Sequence, residues 1–323
     1  MQTTALMSFE TSFVGQKVLV TGASGFLGAH ICRRFHESGV ELCAVSRTAP
    51  KDDAFRISWV PGDVSDWETI QSLIREFQPD VVFHLSGHGV GAPGLEHVLP
   101  TFRHDLATTV NILTAITQFG VRRLVLAASL EEPVHGSSEI TPSTPYAAAK
   151  FSSTMYARMF HKLYGTPVVQ VRPFMTYGPG QRAHKLIPYV TLALLQAQSP
   201  KLGSGLRPVD WVYIDDVIDG MWAAALAPNI EGSAIDLGSG VLVSIREVVM
   251  QLVDIVGAPV QPQFGAVIDR PMEIVRLADM AAAREKLGWK PRIPLHEGLE
   301  LTVKWFREEL ALSAARQNSR GSA

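Results

Sequence analysis

The chain has 323 residues, room for roughly two domains at about 150 residues each. Lys and Arg number 29 against 31 Asp and Glu, a formal charge of −2, so no global basic field favours a polyanion and nucleic acid is not an expected partner. Hydrophobic residues at 46% and charged residues at 19% exclude a disordered chain. A mean hydropathy of +0.13 raises the question of a membrane. The densest apolar runs, residues 121–128 and 190–195, fall far short of the ~20 residues a span needs. The opening MQTTALMSFETSFVGQK lacks a basic segment followed by an apolar one, so no signal peptide is expected. Two cysteines, Cys32 and Cys43, cannot build a disulfide framework or a metal cluster. The expectation is a cytoplasmic α/β protein without a membrane partner.

In chain order, Lys17–Thr21 reads as an apolar strand and residues 25–38 as a helix, with Phe26, Leu27, Ile31 and Phe35 at helical spacing. Strands follow at 41–46 and 57–60, then a helix at 67–77 and a strand at 80–86. Residues 101–119 form a long helical pattern, 122–128 a buried strand, 146–164 a helix and 167–172 a strand. Strands alternating with helices of this length predict βαβ units, a Rossmann-type doubly wound parallel sheet covered on both faces. After Arg172 the rhythm changes. Tyr177-Gly178-Pro179-Gly180 is a loop signal. Helices are expected at 186–198, from Asp215, at 279–287 and at 295–310, with a strand at 209–214. The division expected is a dinucleotide-binding domain over 15–175, with 209–243 returning to it. A smaller mixed substrate lobe takes 176–208 and 244–312, and the polar tail 313–323 is expected to fray.

The first strand runs into Thr21-Gly22-Ala23-Ser24-Gly25-Phe26-Leu27-Gly28 and then a helix. Glycine serves a tight turn, close approach of backbone to a pyrophosphate, and close packing of helix on strand. The helix N-terminus adds amide donors and the positive dipole end. An NAD site usually carries a carboxylate at the end of the second strand, but Val45-Ser46-Arg47 stands there. A hydroxyl and a guanidinium suit a 2′-phosphate, so NADP is favoured over NAD. Asp63 is either an acceptor for the adenine amino group or a helix cap. Tyr146 and Lys150 lie at i and i+4 and share a helix face. A phenol titrates near ~10, and a neighbouring ammonium favours phenolate, so the pair suits a proton shuttle for an alcohol. Ser129, at the end of the fifth strand, can hydrogen-bond the same hydroxyl.

Together TGASGFLG, Ser129, YAAAK, RPFMTYGPG and the late LGWKP resemble the extended short-chain dehydrogenase/reductase family, the nucleotide-sugar epimerases and dehydratases, over about Lys17 to Leu310. The resemblance implies Tyr146 as acid/base, Lys150 as ribose ligand and tuner of the phenol, and Ser129 as the group orienting the substrate hydroxyl. It places the cofactor against Gly22, Ser24, Gly25, Phe26, Leu27, Gly28, Ser46, Arg47, Asp63, Val64, Leu85, Ser86, Lys150, Pro173 and Phe174. His88, Met175, Arg207 and Arg270 are the expected substrate contacts, Arg270 as a fork for a pyrophosphate. Glu131, two residues after Ser129, is either the base that removes a C5 proton in a dehydratase or a loop acid. Several positions depart from the family pattern. Glu132-Pro133-Val134 replaces Val-Tyr-Gly, Met175 and Asp105 stand where Asn is usual, and Val209 replaces an Arg, with Arg207 two residues earlier the candidate substitute. The histidines lack a compact zinc-ligand spacing, so no metal is expected.

The leading expectation is an NAD(P)-dependent epimerase or dehydratase that works at the C4 hydroxyl of a nucleotide sugar through a 4-keto intermediate. A net NADPH-dependent 4-ketoreductase, a reductase of a non-sugar carbonyl, and a non-catalytic NADP-binding regulator are the alternatives. The family often dimerises through the helices at 101–119 and 146–164, so a homodimer is expected.

Overall fold

The computed structural model describes residues 13–47, 58–133, 140–270, 272 and 274–320. Ten strands and nine helical stretches carry its architecture among those residues. The strands are β1 (Lys17–Thr21), β2 (Glu41–Ser46), β3 (Ser58–Pro61), β4 (Val81–His84), β5 (Arg123–Ala127), β6 (Val168–Pro173), β7 (Met175–Tyr177), β8 (Pro208–Tyr213), β9 (Ala234–Leu237) and β10 (Leu242–Ser244). The helices are α1 (Phe26–Ser38), α2 (Trp67–Phe77), α3, α4 (Pro145–Tyr164), α5 (Leu186–Leu195), α6 (Ile214–Leu226), α7 (Ile245–Val256), α8 (Met280–Leu287) and α9 (Leu295–Arg320). Helix α3 is compound: Val98–Thr101, a π-helical segment Phe102–Ala107, and Thr108–Phe119.

The chain divides into two compact units. The sheet unit holds the described residues up to Pro173, then Ile218–Leu237 and Ala281–Trp289. Its seven strands run parallel in the order β3-β2-β1-β4-β5-β6-β9. The chain winds outward from β1 through β2 and β3, then starts again on the other side at β4. This reversal places a topological switch point between β1 and β4, where such sheets bind ligands at the carboxyl ends of the strands. One face is sealed by an aromatic stack: Phe13 and Phe35 each lie 4.6 Å from Trp222, ring to ring. Ile70 and Ile74 of α2, Ile112, Leu113 and Ile116 of α3 and Phe160 of α4 pack with Leu19, Val82, Leu124 and Leu126 of the sheet in a second cluster. Continuous burial of β4 and β5 follows from their near-continuous apolar sequence.

The second unit holds Phe174–Val217, Gly238–Met280 and the chain from Lys290 onward. Its small mixed sheet has the order β10-β8-β7, with β8 parallel to β7 and antiparallel to β10.

Three expectations change here, the first being that Ala281–Trp289, expected in the smaller lobe, belongs to the sheet unit. The return to the sheet unit is narrower than 209–243: β8 belongs to the second unit, and Ile218–Leu237 comes back because Trp222 completes the aromatic stack. Strand β8 is an apolar run buried almost throughout, like the strands of the large sheet, so its sequence does not say which sheet it joins. The expected frayed tail from 313 is helical up to Arg320, where α9 continues, although residues 313–316 are exposed. The start of the strand expected at 57–60 and the end of the tail lie outside the described residues.

Candidate active site

The glycine loop is built as its sequence requires. Gly22 adopts φ +68, and a Cβ there would meet the Leu85 carbonyl carbon and the Ser86 nitrogen at 2.7 Å. A Cβ on Gly28 would meet the Gly22 oxygen at 2.2 Å. Only glycine allows α1 to start this close to β1 while the end of β4 presses on the turn. Helix α1 begins at the N-cap Gly25 with no side-chain cap, so its first turn keeps its amide donors for an anion. These features fit a dinucleotide pyrophosphate. The Ser24 and Ser46 hydroxyls lie 2.6 Å apart, which joins the loop to the end of β2. Arg47 follows, exposed. His104 sits nearby, and burial and the Arg47 charge together hold its pKa below the usual histidine range. Val64 is buried, while Phe26, Leu27, Leu85 and Ser86 are half-buried around the same strand ends.

Asp63 is not a helix cap. That place belongs to Asp66, which accepts the Thr69 amide at 2.9 Å at the start of α2. Asp63 accepts the Ser65 amide at 2.9 Å and the Ser65 hydroxyl at 2.7 Å, and pairs with Arg103 at 3.3 Å. Burial opposes its ionisation, but the Ser65 bonds, His104 and Arg103 outweigh burial and hold the carboxyl below its ordinary value.

Helix α4 starts cleanly. The Thr144 side chain accepts the Ala147 amide at 3.0 Å and Pro145 occupies the first turn. Tyr146 and Lys150 then stand one turn apart. Lys150 is buried, donates to the Ala127 carbonyl at 2.9 Å, and lies 3.9 Å from Asp105 Oδ1. Its Nζ is 5.9 Å from the Tyr146 ring centroid. The Ser129 side chain hydrogen-bonds the phenol. Ser129, Tyr146 and Lys150 therefore gather at the carboxyl end of β5, beside the switch point.

The expected lowering of the phenol pKa is not what this arrangement produces. Tyr146 keeps some exposed surface, but its hydroxyl sits among protein atoms. Burial pushes the phenol up, and the carboxylates of Asp105, Glu131 and Glu132 push the same way. The Ser129 bond alone favours the phenolate. The Lys150 ammonium is engaged with Ala127 and faces Asp105, so it does not offset them.

Glu131 donates its amide to Ser129 Oγ at 3.2 Å, and its carboxylate lies against Gly91, where a Cβ would meet Oε1 at 2.7 Å. Glu132, which the sequence presents as one more loop acid, is 2% exposed. It accepts the Ser129 amide at 2.7 Å, the Thr154 hydroxyl at 3.0 Å and Arg172 at 3.3 Å. Arg172 also donates to Asp236 at 2.5 Å. Pro133, right behind Glu132, was a readable signal that this segment is held, though not by what. His84, one of the histidines without a zinc-ligand spacing, is buried between Thr21 Oγ1 at 2.7 Å and Thr109 Oγ1 at 3.3 Å. Burial and Lys150 push its pKa down to about 3, so it is neutral.

The expected substrate contacts divide between the units. His88 belongs to the sheet unit; its amide donates to Asp105 Oδ2 at 3.0 Å, and its ring lies 3.4 Å from the His97 ring nitrogen. Met175, Arg207 and Arg270 belong to the second unit, as does Phe174, buried with Arg276 5.8 Å over its ring. Pro173, its neighbour, is half-buried. Asp269, next to Arg270, accepts the Ser204 amide at 2.9 Å. The Ser204 bonds and Arg207 hold its carboxyl below the ordinary value. Arg207 and the Arg270 loop thus neighbour each other. Among the described residues no group of three His, Cys, Asp or Glu could hold a metal ion.

Residues 18–238 match the family described as the NAD dependent epimerase/dehydratase family. The chain is 31% identical over 320 residues to a UDP-glucose 4-epimerase of Mycolicibacterium smegmatis, covering 91% of this chain and 99% of that protein. It is 30% identical over 327 residues to a dTDP-glucose 4,6-dehydratase of Streptomyces antibioticus, with 91% and 93% covered. Among solved structures, the Thermus thermophilus UDP-glucose 4-epimerase in complex with NAD superposes with a TM-score of 0.80 at 26% identity, over 90% of this chain and 99% of that one.

Proposed function

Because this chain belongs to the NAD dependent epimerase/dehydratase family, we propose that it oxidises the C4 hydroxyl of a nucleotide sugar and completes the reaction as an epimerase or a 4,6-dehydratase. The observation that carries this reading is the meeting of Ser129, Tyr146 and Lys150 at the end of β5, beside a glycine loop fit for a dinucleotide. The nicotinamide, when bound, supplies the two-electron acceptor and donor. The protein's share is proton handling. Ser129 orients the C4 hydroxyl, Tyr146 takes and returns its proton, and Lys150 holds the ribose. Glu131, beside Ser129, is the candidate to remove the C5 proton where water is lost.

Ser46 and Arg47 support NADP over NAD, since a guanidinium at the end of β2 meets a 2′-phosphate with a charge-assisted bond. Arg270 and Arg207 are the candidate holders of the substrate pyrophosphate, and His88 and Met175 are further candidate substrate contacts. Exposed Leu99 and Phe102 on α3 and Met159 and Leu163 on α4 support a homodimer through these helices. No helix among the described residues is long and apolar enough to cross a membrane, which accords with a cytoplasmic setting.

The test is to incubate the protein with UDP-glucose, UDP-glucuronate and dTDP-glucose, following product and free NADPH together, and to measure the binding of NAD and NADP separately. Epimerised or dehydrated product without net NADPH loss is expected, together with tighter NADP binding. A Tyr146→Phe variant that turns over every such substrate at the full rate overturns the catalytic assignment.

A further inference from the structure

Asp105 is a buried carboxylate to which the mechanism above gives no task. It is 0% exposed and sits in the π-helical segment Phe102–Ala107, where the extra residue per turn is a frequent mark of functional sites. Its Oδ2 accepts the His88 amide at 3.0 Å, while Oδ1 receives no hydrogen bond. A Cβ on Gly87 would meet Oδ1 at 2.5 Å, so the carboxylate is pressed against the turn after β4. Lys150 Nζ lies 3.9 Å from that oxygen and 5.9 Å from the Tyr146 ring centroid. One ammonium thus stands between a carboxylate and a phenol.

We propose that Asp105 is a positioning residue that competes with the Tyr146 phenolate for the Lys150 ammonium. This rests on the reading of Tyr146 as the acid/base. A carboxylate taken out of water needs compensation, and among the described residues the Lys150 ammonium, 3.9 Å from Oδ1, is the cation that pairs with it. Charge held by Asp105 is charge that the phenolate does not receive. A neutral amide at 105 would still accept the His88 amide, yet would release the ammonium. The groups facing Asp105 are Lys150 and Tyr146 from α4, His88 from the loop after β4, and His104 on its own helix. Glu131 and Glu132, from the loop after β5, act on the phenol in the same sense as Asp105. His84, at the end of β4, carries no charge there. Burial raises the Asp105 carboxyl above its ordinary value, against Lys150 and the His88 amide; in its ionised form its charge opposes release of the Tyr146 proton.

The experiment is a near-ultraviolet titration of tyrosinate in the cofactor-free protein and in the NADP-loaded protein. The chain has 6 tyrosines, so Tyr146→Phe identifies the transition of interest by difference. Asp105→Asn is expected to move that transition to lower pH by about one unit or more, and Asp105→Glu to keep it near the wild-type position. Circular dichroism checks folding, and Asp105→Ser, which removes the charge and leaves room, stands in for the amide if the latter does not fold. A Tyr146 transition at the same pH with and without the carboxylate overturns the proposal. The titration needs no substrate. A shifted transition in a protein inactive on every sugar keeps this inference and removes the functional reading. An active protein with an unshifted transition does the reverse.

Discussion

The two units bury charge in different ways. In the sheet unit, buried ionic side chains face one another. Arg172 lies between Glu132 and Asp236, Arg123 pairs with Glu231 at 2.6 Å, and Lys150 faces Asp105. In the second unit, buried carboxylates face backbone. Asp210 accepts Ser239 N at 2.6 Å, Ser239 Oγ at 2.7 Å, Gly240 N at 3.0 Å and Ala278 N at 3.1 Å. Asp216 accepts the amides of Arg292 and Ile293, each at 3.0 Å. Carboxylates of the sheet unit take backbone amides too, Glu132 that of Ser129 and Asp105 that of His88, but each also meets a buried cation. The second unit is richer in irregular chain, and its carboxylates supply the acceptors that a ladder would otherwise provide. The same residue type therefore ties cation to backbone in one unit and shapes loops in the other.

Asp210→Ala is the largest expected break in this comparison. Four donors lose their acceptor at a net ~1 kcal/mol each, so the loss is roughly 4 kcal/mol. Hydrogen exchange should rise around residues 239–241 and 278, with the strands of the sheet unit unchanged. Exchange spreading through β1, β4 and β5 would show that the carboxylate does more than hold its own loops.

Glu132→Ala comes next. Removing one partner of a buried pair costs ~3–5 kcal/mol. The low end applies, about 3 kcal/mol, because Arg172 keeps Asp236. The Ser129 amide and the Thr154 hydroxyl also lose their acceptor. Thermal unfolding should register the loss. If the comparison holds, the folded fraction also loses most of its activity through displacement of Ser129, an effect that Asp236→Ala, which does not touch Ser129, should not match.

The strands of the sheet unit were legible because their signal is local: an apolar run, a glycine turn and a helical period each occupy a few neighbouring residues. The glycine loop, Ser129, Tyr146 and Lys150 were found for the same reason. Helix α7 carries its own start signal, the capping box of Ser244 and Glu247. Strands β7, β9 and β10 are three or four residues long, too short for alternation to stand out. The sequence marks Asp105 only as a departure from the family's usual Asn on a long helix. Its burial depends on a π-helical segment that no propensity encodes, and on a turn 17 residues away in sequence. The direction of the Tyr146 shift was out of reach because it depends on where the Lys150 ammonium points, not on the i, i+4 spacing.

Acid offers a gentler probe of the same contrast. Among the described histidines, His84 is buried and neutral in the sheet unit, whereas His184 and His296 of the second unit are exposed. Unfolded, the His84 imidazole titrates near its ordinary value of 6.5; folded, burial and Lys150 bring it to about 3. Between those values the unfolded chain binds a proton that the folded chain refuses, so stability falls as pH drops below ~6.5 and is unaffected above it. At pH 5 the gap spanned is ~1.5 units, about 2 kcal/mol at ~1.4 kcal/mol per unit. At pH 5 ordinary carboxylates stay largely ionised, and His184, though lowered by slight desolvation and by Lys185 and Arg182, is exposed, so the second unit has less to lose there. Pulsed hydrogen exchange after incubation at pH 5 should therefore open β1, β4 and α3 before β8. His84→Asn keeps a polar partner for Thr21 but cannot titrate. It should lower the melting temperature at pH 7.5 while removing most of the further drop between pH 7.5 and 5. An equal acid drop in both proteins would place the sensitivity elsewhere and would leave the two units alike in their response to protons.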